Sequence, residues 1–225
     1  MEPRKRKNSN QSLNPVETLA DEKPRSGVRE VRLWTIGHST RPISEFIALL
    51  RAHHIQRLVD VRTIPRSGHN PQFNGDLLRH SLETVGIHYR HMPALGGLRH
   101  ARRDSTNTAW RNASFRGFAD YMQTPQFDEG LNELIRLARG SRTAIMCAEA
   151  VPWRCHRSLI ADALLVHGVN VDEIASATSV RSHTLTPWSR VDGQSITYPG
   201  EPPIEQERSI DYRQRSRATR KLEKK

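Results

Sequence analysis

TAIMCAEAVPWRCHRSLIADALLVHGVNVDEI, residues 143–174, decides the fold. Thr143–Cys147 is a short apolar run with the composition of a buried strand, and a polar loop carrying Pro152 follows it. Leu159, Ile160, Ala163 and Leu164 then recur at helical spacing, until Gly168 offers a stop. Val169–Ile174 returns to strand composition. Strand, helix and strand in one such stretch form the crossover unit of a parallel sheet, because parallel neighbours cannot be joined by a tight hairpin.

The same alternation runs upstream. Leu33–Ile36 is the first strand, and a helix follows with Thr40 as its expected cap, Pro42 in the first turn, and Ile43, Phe46, Ile47 and Leu50 at helical spacing. Arg57–Val61 is the second strand. Leu78, Leu82 and Val85 mark a helix ended by Gly86, and Ile87–Met92 is the third strand. Residues 96–117 form a long polar insert, and helical patterns resume around Phe118–Met122 and from Phe127 to Gly140. The expected architecture is α/β: an open, mainly parallel sheet of about five strands with flanking helices, Rossmann-like.

The chain has 225 residues, room for one domain. Residues 1–30 mix Lys, Arg, Ser, Asn and Pro without apolar periodicity, and 199–225 end in a basic run. Both are expected to be disordered basic tails flanking a single domain over 31–198. No apolar run is long enough to span a bilayer, and no secretory signal is recognisable, so the cytoplasm is the expected compartment. Cys147 and Cys155 are the only cysteines, too few for a disulfide framework. The formal net charge of +11 points to anionic partners, small molecules or nucleic acid. Residues 62–116 hold nine Arg against three acidic residues, which concentrates the domain's basicity in one region.

In open parallel sheets ligands sit outside the carboxyl ends of the strands. The loops at those ends carry His38 and Ser39, Asp60 and Arg62, Gly96 and Gly97, and Cys147 with Glu149. Cys155, His156 and Arg157 open the helix after Pro152, where unpaired N–H groups and the helix dipole favour an anion and lower a cysteine's pKa. Cys147, Glu149, Cys155 and His38 are therefore the candidates for catalysis. Arg62, His156, Arg157, Ser39, Gly96 and Gly97 are the candidates for holding phosphate or another anion.

Each candidate has a structural alternative: Cys147 as a core residue, His38 as a turn residue, Glu149 as an ion-pair partner, His156 and Arg157 as parts of a helix start. The spacing of Cys147, Cys155 and His156 is not that of a zinc finger or ribbon, so neither a metal nor any other cofactor is assigned.

TIGHST (35–40), LVDVRTIPRS (58–67), NPQF (70–73), PALGGLR (93–99), TAWRNASFRGFADYM (108–122) and AIMCAEAVPWRCHRSLIADAL (144–164) closely resemble the bacterial family called domain of unknown function 488. The resemblance implies an α/β fold and singles out the same loops, but it implies no reaction. Three functional readings stay open. The first is an enzyme acting on a phosphate-bearing substrate, a nucleotide or nucleic acid. The second is a non-catalytic nucleic-acid adaptor. The third is a metal or redox site built from Cys147, Cys155 and His156.

Overall fold

Apolar side chains alternate along the central strands, so each strand feeds two faces of one sheet. The computed structural model describes residues 30–200. The two expected tails therefore lie outside the described residues, apart from 30, 199 and 200. The order of elements is β1 (Arg32–Gly37), α1 (Ile43–Ala52), β2 (Arg57–Asp60), α2 (Gly75–Glu83), β3 (His88–His91), α3 (Ala113–Tyr121), α4 (Pro125–Gly140), β4 (Thr143–Cys147), α5 (Arg157–Val166), β5 (Asn170–Ile174), β6 (Val180–Ser182), β7 (Arg190–Asp192) and β8 (Ser195–Thr197).

The sheet runs β3-β2-β4-β1-β5-β6, with the first five strands parallel. These are the five strands expected from the sequence. β6 adds an antiparallel edge, and β7 and β8 form a separate hairpin. Three exposed strand residues apiece on β6 and β7 leave no periodicity to read in advance. Trp34, Ile36, Leu58 and Met146 pack on one face against Phe46 and Leu50 of α1 and Leu78 and Leu82 of α2. Leu33, Val59, Ile145 and Cys147 pack on the other against Phe118 of α3, Leu131 and Leu134 of α4, and Leu159 and Ile160 of α5.

Two local expectations need correction. Thr40 does not cap α1: Pro42 holds the cap position and no side chain bonds the first N–H groups. α3 begins inside the expected insert because the Asn112 side chain accepts from the Ser114 N–H at 2.8 Å. The rest of the insert is tied down by Asp120, which accepts from the Arg102 backbone N–H, the Ser105 hydroxyl and the Asn107 side-chain amide.

The connections from β1 and β4 diverge. β1 leads through α1 to β2 on one side, whereas β4 leads through α5 to β5 on the other. Such a reversal opens a crevice at the carboxyl ends of the two neighbouring strands. Gly37 and Cys147 are partners in register at that point. The approach is close enough to require glycine, since a Cβ on Gly37 would lie 2.0 Å from the Glu149 carbonyl oxygen.

Candidate thiol site at the carboxyl ends of the strands

A cleft of about 360 Å³ opens here, lined by Arg62, Gly97, Cys147, Glu149, Cys155 and His156 among others. Six of the ten residues expected to form a site thus surround one cavity. A larger, open depression of about 610 Å³ lies at the amino ends of β1 and β4, where neither cysteine reaches.

Cys147 ends β4 and Cys155 lies two residues before α5; both are buried. The two thiols influence each other, which splits their acidities. Cys147 is pushed well above the ordinary thiol range by its role as donor to Cys155 and by burial. Burial opposes ionisation of Cys155, but the bonds from Cys147 and His156 and the charge of Arg157 outweigh it and hold this thiol well below its usual value. The Arg157 backbone N–H at the start of α5 points to the Cys155 sulfur at 3.5 Å. The N-terminus of α5 is thus turned toward a sulfur of the protein itself, a placement that favours the ionised thiol.

His156 is oriented by its far side. Its Nε2 lies 3.0 Å from the Val61 carbonyl oxygen and donates to it, which turns Nδ1 toward the Cys155 sulfur at 3.7 Å. The ring packs edge-on against Phe118, with centroids 5.0 Å apart. Its other neighbour is Gly97, where a Cβ would sit 2.5 Å from Nδ1. Gly96 is pressed against Thr63 in the same way, at 2.4 Å from Oγ1. Both glycines serve close packing around the imidazole and the loop beneath it. Glu149 is exposed, and its carboxylate accepts from the Val151 N–H at 3.2 Å, while its backbone oxygen accepts from Arg157 Nη2 at 2.8 Å.

The arginines and His38 stand differently from the sequence picture. Arg62 is clamped by Asp60 through Nε and Nη2 and also donates to the Phe73 carbonyl at 2.8 Å. Tyr89 completes the arrangement by donating to Asp60 at 2.8 Å. His38 is buried and stacked on Phe73 with centroids 4.1 Å apart. Burial lowers its pKa to about 4, so it is neutral near pH 7. Nδ1 donates to the Ser39 carbonyl at 2.8 Å, and Nε2 faces Arg62 Nη1 at 3.4 Å. The Ser39 N–H is spent on the Ala148 carbonyl at 2.9 Å.

Arg157 is buried, and its Nε and Nη1 have no hydrogen-bond partner. It lines a second cleft, on the far side of the thiols. Tyr89, Phe73 and Phe118 were missed as supports of these groups. Tyr89 could have been suspected from its place on the strand paired with Asp60's strand, whereas ring contacts with Phe73 and Phe118 leave no mark in sequence spacing.

A family model described as domain of unknown function DUF488 matches residues 42–164. The chain belongs to that family. No curated protein and no solved structure matches the chain. The DUF488 match holds both cysteines, His156 and Arg157, and stops before β5, so part of the second cleft lies beyond it. Among the described residues, no group of three or more His, Cys, Asp or Glu is placed to hold a metal ion, and no helix is long and apolar enough to cross a membrane.

Proposed function

We propose that this DUF488 protein is a dithiol oxidoreductase, with Cys155 as the attacking thiolate and Cys147 as the resolving thiol. The observation that carries the reading is the pair of buried thiols lining one cleft, with the first N–H of α5 and the His156 ring both directed at the Cys155 sulfur. The Cys155 thiolate attacks one sulfur of a substrate disulfide, the substrate S–S bond breaks, and the departing thiolate takes a proton from solvent. Cys147 then loses its proton and attacks the Cys155 sulfur of the mixed disulfide. That releases the second substrate thiol and leaves a Cys147–Cys155 disulfide. The exposed Arg66 and Arg154 also line the cleft and favour an anionic substrate such as the disulfide of an acidic thiol compound.

The geometry favours this over phosphate chemistry in the same cleft. The guanidinium of Arg62 is already paired with Asp60, and Arg157 lines the neighbouring cavity. Glutathione redox titration followed by mass spectrometry tests the reading. The wild type is expected to gain an internal Cys147–Cys155 disulfide, and Cys147→Ser to stop as a glutathione adduct on Cys155. Formation of the adduct on Cys147 in Cys155→Ser, with none on Cys155 in Cys147→Ser, would reverse the assignment. Absence of both adduct and disulfide at oxidising poise would end it.

A further inference from the structure

The second cleft, of about 330 Å³, lies between α5, β5 and the segment from β6 to Trp188. Its walls include Trp110, Trp153 and Trp188, and Trp110 and Trp188 meet edge to face with centroids 5.5 Å apart. Trp153 and Trp188 are exposed, so large flat apolar surfaces face solvent around one cavity. Arg157, 1% exposed, contributes a buried cation that lacks acceptors for Nε and Nη1. Trp110 Nε1 is a second buried donor without an acceptor. Two donor residues short of acceptors, both lining the same cavity, call for an acceptor-rich guest.

From this we infer that the cleft binds a small anion carrying a flat aromatic group, its phosphate or carboxylate accepting from Arg157 and its ring stacking among the tryptophans. Guanidinium and phosphate or carboxylate match as planar donor and acceptor arrays, and indole faces stack on any base or aryl ring. Arg181 adds positive charge at the rim. Glu173 lines the same cavity and opposes the guest when ionised. The inference does not rest on the oxidoreductase reading, because neither cysteine lines this cavity.

The test uses the full chain, with tryptophan fluorescence and calorimetry at pH 8. 5′-AMP and benzoate represent the phosphate and carboxylate sources, and adenosine and inorganic phosphate each carry half of the required chemistry. At least one of the two aromatic anions should quench fluorescence saturably, bind well above either half ligand, and so identify the source. Trp188→Ala, a change at an exposed position, is expected to weaken that binding about fivefold or more. Glu173→Gln should tighten it about twofold or more by removing a like charge. Cys155→Ser should still bind, which separates failure here from failure of the oxidoreductase reading. Equal binding of adenosine and 5′-AMP together with no benzoate binding, affinity unchanged in both Trp188→Ala and Glu173→Gln, or no saturable binding of either aromatic anion would overturn the inference.

Discussion

Replacing Glu173 with Gln should stabilise the protein at alkaline pH and leave it unchanged in acid. Burial raises the Glu173 carboxyl from 4.5 to about 7, against the lowering effects of Arg157 on α5 and of Arg181 and His183 beyond β5; Cys155 adds a further upward push. Between those two pH values the folded chain holds a proton that the unfolded chain has released. Stability therefore falls as pH rises from about 4.5 to 7 and is level above that. At about 1.4 kcal/mol per tenfold change in acidity the upper limit is about 3 kcal/mol, and about 1–2 kcal/mol after discounting for the solvent that reaches this half-buried group. Gln mimics the protonated carboxyl and carries no such loss. Urea denaturation at pH 4.5, 6 and 8 should give a Gln-minus-Glu difference near zero in acid, growing to about 1–2 kcal/mol at pH 8. A difference independent of pH, or a wild type more stable than the variant at pH 8, would refute the account.

Gly97→Ala places a methyl group where the His156 ring stands, so the imidazole must leave Cys155; the rate of Cys155 alkylation by iodoacetamide at pH 7 should fall while far-ultraviolet dichroism is preserved. An unchanged rate would remove His156 from the activation of the thiol. Asp60→Asn leaves the Arg62 guanidinium buried without its counter-ion, and a loss of about 3–5 kcal/mol is expected in chemical denaturation. Tyr198→Phe deletes the hydroxyl that donates to the buried Asp162 at 2.8 Å; Asp162 keeps its bonds to His183 and the Thr186 N–H, so the expected cost is about 1–3 kcal/mol by calorimetry.

Much of this architecture was legible because it is written in periodicity. The unbroken apolar run of Thr143–Cys147 arises from burial on both faces of the sheet and the helical spacing in Leu159–Leu164 from packing against one of them, and burial leaves its mark on residue type. The rule that ligands gather at carboxyl ends also led to the cleft, since Arg62, Gly97, Cys147, Glu149, Cys155 and His156 reach it from three different connections. What periodicity cannot carry is the direction of a long side chain. Arg62 and Arg157 looked alike, two cations at neighbouring strand ends, yet the first is neutralised by a carboxylate two residues before it and the second is left with unpaired donors.

That difference changes what the local charge is for. A guanidinium saturated by Asp60 exerts little net attraction on a ligand, whereas one buried with Nε and Nη1 unpartnered acts in two directions at once. Toward β4 it lowers the cost of ionising Cys155; toward β5 it faces Glu173 and the tryptophan-lined cavity. An anion seated beside Arg157 offsets part of the charge that Cys155 depends on, so occupancy of the second cleft should raise the Cys155 pKa and slow its alkylation at pH 7. The coupling is reciprocal: alkylation of Cys155 removes a competing negative charge and should tighten anion binding. Measuring the alkylation rate with and without saturating ligand checks the link. A rate indifferent to a ligand that demonstrably binds would place that ligand's charge away from Arg157.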